Sequence, residues 1–219
     1  MLESPMGVAT CLGGFVVTEP AAGRVSSLAA DLSTRETIAE GLSRPTGVAC
    51  LGADLFVLDT GAHAIWFRRG DGRTGTWGGR GEGSGEFNFP AALAASDNLL
   101  FVGDTLNFRV QKIDARSGEG AGSFGRLGDA AGETPRIKGI GVDARGVVWV
   151  TDALLDQVAL YERTGAYLMS VGAPGAGPGA FSFPAGVAGH PDGRVAVVDS
   201  LGRRVQVFRV LTVGGPDAR

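Results

Sequence analysis

Histidine, cysteine and lysine are almost missing from this chain: each occurs twice in 219 residues. His63 and His190 lie in unlike places, so a histidine-ligated metal site cannot be built from them without distant convergence. No apolar run approaches the roughly 18 residues that would span a membrane. Met1-Leu2-Glu3-Ser4-Pro5 has no basic segment, and Phe15-Val16-Val17 is too short for the apolar core of an export signal. An apolar stripe at helical spacing is lacking too; only Asp31 to Glu40 offers a helical turn or two. A net charge of −3 and a pI near 5.4 give no basic footprint for nucleic acid. Eighteen of the twenty basic residues are Arg, which reads as coding bias before it reads as a binding surface.

Glycine is the residue in excess, at 37 of 219, about 17% against an average near 7%. The glycines follow no every-third period and instead cluster between apolar runs, where turns belong. They also repeat. Glu86-Phe87-Asn88-Phe89-Pro90-Ala91-Ala92-Leu93-Ala94 matches Ala180-Phe181-Ser182-Phe183-Pro184-Ala185-Gly186-Val187-Ala188 at an offset of 94 residues, and Gly78, Gly81 and Gly85 recur at half that offset as Gly125, Gly128 and Gly132. A period of 40 to 50 residues marks an array of small units.

Within each copy the apolar period is two. The third copy reads as strands near Ala91 to Ala95, Leu99 to Val102, Val110 to Ile113 and Ser123-Phe124, joined by short Gly, Asp and Asn spacers. Such spacers force antiparallel hairpins. Repeated four-stranded antiparallel sheets are propeller blades, so the fold class is an all-β propeller. First strands align at Gly7, Gly47, Ala92, Gly139 and Gly186, and an acid closes each second strand: Glu19, Asp59, Asp104, Asp152 and Asp199. Third strands begin at Val25, Ile65, Val110, Val158 and Val205.

Asp104-Thr105-Leu106-Asn107-Phe108-Arg109-Val110-Gln111 and Asp199-Ser200-Leu201-Gly202-Arg203-Arg204-Val205-Gln206-Val207-Phe208 resemble NHL repeats, and the resemblance runs from about Leu2 to Leu211. It implies a single propeller domain over residues 1–219, with blades near 2–41, 42–87, 88–133, 134–181 and 182–211. Members of that family commonly have six blades, and five are visible here. The last copy supplies three strands, with Gly214-Gly215-Pro216 opposing a fourth. The expected architecture is therefore an incomplete six-bladed ring, from a chain shortened at its N-terminus. Its compartment is cytoplasmic by default, and extracytoplasmic if an upstream signal has been lost. Two open blade faces of roughly 500 Å² each would forfeit about 12 kcal/mol of burial apiece, which rivals a domain's net stability. Such a chain is expected to close as a strained ring, pair with another chain, or aggregate.

Strand polarity puts the Gly-rich connectors and the turns between second and third strands on one face. There lie the candidate binding residues Arg80, Asn107, Phe108, Arg109, Arg136, Lys138, Leu154, Leu155 and Arg203. Apolar turn tips at Leu106 and Phe108, Leu154 and Leu155, and Leu201 either form a docking row or fold back onto the next connector. The acids Asp59, Asp104, Asp152 and Asp199 read as structural: each can accept main-chain N–H groups at its turn and pair with an Arg such as Arg109 or Arg204. The connectors lack the Lys-Ser or Lys-Thr of a phosphate cradle. Cys11 and Cys50 occupy nearly matching places in successive copies but are offset by one residue, which predicts opposite orientations and no disulfide. The leading expectation is a non-catalytic scaffold for a protein segment or small ligand, with no cofactor. A metal-assisted hydrolase or lyase in the channel is the enzyme alternative, and RNA binding is a third reading.

Overall fold

The second strand of every copy is an unbroken apolar run, and the computed structural model, which describes residues 1–210, shows why. In the second copy Leu55, Phe56, Val57 and Leu58 are all buried, because that strand is covered by a neighbouring sheet on each face. Five antiparallel sheets follow one another around an axis. Blade 1 holds β1 (Val8–Cys11), β2 (Gly14–Glu19), β3 (Arg24–Ala29) and β4 (Arg35–Ala39). Blade 2 holds β5 (Pro45–Leu51), β6 (Asp54–Asp59), β7 (Ala64–Arg68) and β8 (Thr74–Gly78). Blade 3 holds β9 (Pro90–Ser96), β10 (Leu99–Asp104), β11 (Arg109–Asp114) and β12 (Gly120–Phe124). Blade 4 holds β13 (Ile137–Val142), β14 (Val148–Asp152), β15 (Gln157–Tyr161) and β16 (Tyr167–Val171). Blade 5 has three strands among the described residues, β17 (Pro184–Gly189), β18 (Arg194–Asp199) and β19 (Arg204–Arg209). The expectation that residues 211–219 supply no fourth strand concerns residues outside those described. Third strands begin one residue before the expected positions, and the segment weighed as helix at Asp31 to Glu40 contains β4 instead.

First strands lie innermost and are built from small residues because they converge. A Cβ on Gly139 would overlap the carbonyl oxygen of Ala185, and one on Gly7 would overlap that of Thr46. Between blades, a threonine hydroxyl donates to a carbonyl of the next blade's first strand or its approach. Thr18 reaches Thr46 at 2.6 Å, Thr60 reaches Pro90 at 2.6 Å, Thr105 reaches Ile137 at 3.1 Å and Thr151 reaches Ala185 at 2.5 Å. Each of these threonines sits immediately before or after the strand-closing acid.

The two cysteines correct their expectation: Cys11 and Cys50 form a disulfide. An offset of one residue does turn their side chains to opposite faces of their own sheets. In a propeller, however, the forward face of blade 1 stacks on the rear face of blade 2, so opposite orientations bring the two sulfurs together.

The third-strand valine or isoleucine reports on that stacking. Val25, Ile65, Val110 and Val158 are each 0% exposed beneath the next blade, whereas Val205 of blade 5 is 60% exposed, Val207 61% and Val198 41%. On the rear face of blade 1, Val8 is exposed, while residues 1–5 cross part of that face: Glu3 N–H donates to Glu19 and Arg35 donates to the Met1 carbonyl.

Candidate functional site

The connectors are held from inside. Phe87 and Phe181 are buried plugs, and Gly78 and Gly172, at φ 87° and 97°, lie where a side chain would collide with those rings. The repeated Arg-Val-Gln then clamps the loop. Arg109 donates to the carbonyls of Gly83 and Glu86, and Gln111 donates to that of Glu86 while accepting Gly85 N–H at 3.0 Å. Arg204 and Gln206 repeat the arrangement on Gly177, Ala180 and Gly179.

The acids complete the frame. Each carboxylate accepts a main-chain N–H from the connector ahead of its own blade, 15 to 17 residues upstream: Glu3 to Glu19, Ser43 and Arg44 to Asp59, Asn88 to Asp104, Arg136 to Asp152 and Ser182 to Asp199. Odd-numbered blades add an arginine, Arg24, Arg109 or Arg204. In even-numbered blades, which lack it, turn N–H groups serve instead, from Ala62 to Asp59 and from Leu154 and Leu155 to Asp152. Burial by itself raises the Asp199 pKa, yet the Ser182 N–H and the Arg204 guanidinium outweigh it and hold the carboxyl below its ordinary range. Asn107 also joins this frame, donating to Gly81 O at 2.8 Å and to Asp104 at 2.9 Å. Asn107 and Arg109, expected at a ligand, are thus committed to the protein's own connector.

What remains available on this face is a smaller group. Arg136 is exposed and Lys138 half-buried, and the two cations lie 5.6 and 5.7 Å from the centroid of the Phe183 ring. Neither forms an ion pair among the described residues. Phe183 holds a left-handed backbone at φ 59°, and its N–H donates to Asp156 at 2.6 Å. Phe89 occupies the equivalent place at φ 47°, its N–H donating to His63 Nδ1 at 3.1 Å. Leu106, Leu154 and Leu201, each two residues beyond the acid of its blade, are exposed, while Phe108 and Leu155 are half-buried against the frame. Arg80 and Arg203 are exposed without carboxylate partners among the described residues. Phe183 was not among the residues singled out from the sequence. Its match to Phe89 before the first-strand proline was visible, but the meeting with Arg136 and Lys138 across two blades was not.

Beneath Lys138 and Phe183 opens a cavity of about 610 Å³ between the first strands, walled by Val48, Leu93, Ile140 and Val187 and extending to Val8 and Val198. Lys138 is the one titratable side chain in its lining. A divalent cation needs several oxygen or imidazole ligands, and this wall offers none from carboxylate or histidine side chains. Among the described residues no group of three His, Cys, Asp or Glu side chains could hold a metal ion. No helix is long and apolar enough to cross a membrane among those residues.

No protein-family model and no curated protein matches this chain in sequence. Solved structures match it in fold, and they place it among the β-propellers. A streptogramin B lyase superposes with a TM-score of 0.72 at 16% identity, over 99% of this chain and 71% of that one. A nidogen/laminin complex gives 0.69 at 14% identity, over 95% and 81%. The glutaminyl cyclase of Myxococcus xanthus gives 0.61 at 18% identity, over 94% and 92%. Likeness at such identities concerns the fold, which here hosts two enzymes and a binding protein.

Proposed function

We propose that this chain is a non-catalytic propeller of the NHL type that binds a protein segment or small ligand on its connector face, without a cofactor. The observation that carries the reading is the convergence of Arg136 and Lys138 on Phe183, beside the exposed Leu106, Leu154 and Leu201. Two cations, an aromatic face and an apolar row suit an amphipathic, anionic partner. The channel alternative draws little support from a wall whose single titratable group is Lys138. RNA binding draws little from a face where Glu82 and Asp156 interrupt the basic residues.

The same proposal includes a ring with room for a sixth blade, supported by the exposed Val198, Val205 and Val207 and by Ser200, which follows its acid as Thr60 and Thr105 do. The Cys11–Cys50 disulfide favours an oxidising compartment. Selection of a displayed peptide library on the purified chain tests the reading. Peptides rich in Asp, Glu and apolar residues should be enriched, and should lose binding to a folded Arg136→Glu, Leu154→Ser variant. Enrichment that ignores those substitutions would remove the connector face from consideration.

A further inference from the structure

The connector-face cations stand at the mouth of an apolar chamber, and the two features together define a ligand chemistry. Lys138 contributes to the lining of the 610 Å³ cavity, and its ammonium lies 5.7 Å from the Phe183 ring at the rim. Arg136, exposed and outside the lining, has its guanidinium 5.6 Å from the centroid of the same ring. The nearby Asp156 carboxylate is engaged by the Phe183 N–H. Below the rim the walls are Val48, Leu93, Ile140 and Val187, with no carboxylate among the lining residues. The volume falls within the range of small-molecule pockets, which pair an apolar body with a few placed polar groups.

We propose that this cavity binds an amphipathic monocarboxylic acid, its aliphatic tail among the first strands and its carboxylate on Lys138 at the rim, with Arg136 nearby. A cationic amphiphile would meet two like charges at the mouth. A neutral one would leave both cations without the anion that their arrangement suits. A dianionic ligand would have to place its second charge among valine, leucine and isoleucine, where the lining holds no further cation. The inference rests on the connector face being the binding surface and names what enters it.

The test uses the full chain and sodium decanoate below its micelle concentration, with decanol and decylammonium as controls. Titration calorimetry should show saturable decanoate binding below about 1 mM, as suits a ligand of about a dozen heavy atoms. Decylammonium should not bind, and decanol should bind more weakly. Lys138→Met should weaken decanoate about tenfold to a hundredfold. Gly186→Phe should abolish binding by filling the chamber; a Cβ there meets only Val198, at 3.5 Å. In ¹⁵N spectra the decanoate shifts should fall on Leu93, Ile140 and Val187. Undiminished binding by Lys138→Met, equal binding of decanol, or no binding by the folded chain would each overturn the proposal. Shifts confined to Leu106, Leu154 and Leu201 would also overturn it, while leaving the connector face as a binding surface. Loss of both decanoate binding and peptide selection would remove that broader reading as well.

Discussion

The Asp104 carboxylate accepts the main-chain N–H of Asn88 at 2.6 Å, so the end of β10 is fastened to the connector that enters β9, 16 residues earlier. Asn107, Arg109 and Gln111 donate to the same buried group at 2.9, 2.9 and 3.1 Å. Asp104→Ala would strand an arginine and three further donors. Losing one partner of a buried charge network costs about 3 to 5 kcal/mol. Urea denaturation should show a loss of that size, and Asp104→Asn, which keeps one acceptor oxygen, should recover part of it. A loss under about 1 kcal/mol would mean that the latch does not organise the blade.

Much of this frame could be read from the sequence because it repeats. The acid at the end of each second strand, the Arg five residues on in odd-numbered blades and the connector glycines recur at fixed offsets, and all three are spent on the fold. Relationships between blades were harder to read. Cys11 and Cys50 meet because neighbouring sheets present opposite faces to each other, which strand alternation within one sheet does not reveal. The threonine bridge has no fixed place in the repeat: its residue stands before the acid in Thr18 and Thr151 and after it in Thr60 and Thr105. Arg136 and Phe183 lie 47 residues apart, and only the closing of blade 5 against blade 4 brings them together.

Glu19 makes blade 1 sensitive to acid. Burial opposes its ionisation, but Arg24, the Glu3 N–H and Ser26 prevail and hold its pKa at about 2, against an ordinary 4.5. A carboxyl depressed in the folded chain contributes stability that is complete above its unfolded value and disappears as pH falls through the folded one. The melting temperature should therefore decline between pH 4.5 and 2. Glu19→Gln should melt lower at neutral pH and decline less steeply over that window; parallel curves would contradict the assignment.

The Cys11–Cys50 bond closes a loop with a sequence separation of 39 and joins β1 to β5. Cross-links of this kind contribute about 2 to 4 kcal/mol, chiefly by restricting the unfolded chain. Reduction, or the double substitution of both cysteines by serine, should lower the urea midpoint accordingly. Mass spectrometry after alkylation without reductant should find both thiols protected, and labelling of either would show that they are free.

Val158 and Val205 occupy the same place in successive blades, one 0% exposed and the other 60% exposed. Replacing a buried valine by serine removes apolar contacts and leaves a hydroxyl to be satisfied, at about 2 to 4 kcal/mol. The same change on an open surface stays within about 0.5 kcal/mol. Val158→Ser should therefore destabilise the chain strongly in urea titrations, while Val205→Ser should be nearly silent. If Val205→Ser proves as costly, the flank of blade 5 is covered in solution, and sedimentation velocity on the purified chain would then detect a species heavier than the monomer. If it is silent, Val198, Val205 and Val207 stand ready for a neighbouring sheet, with Ser200 placed to donate as Thr60 and Thr105 do in blades 2 and 3.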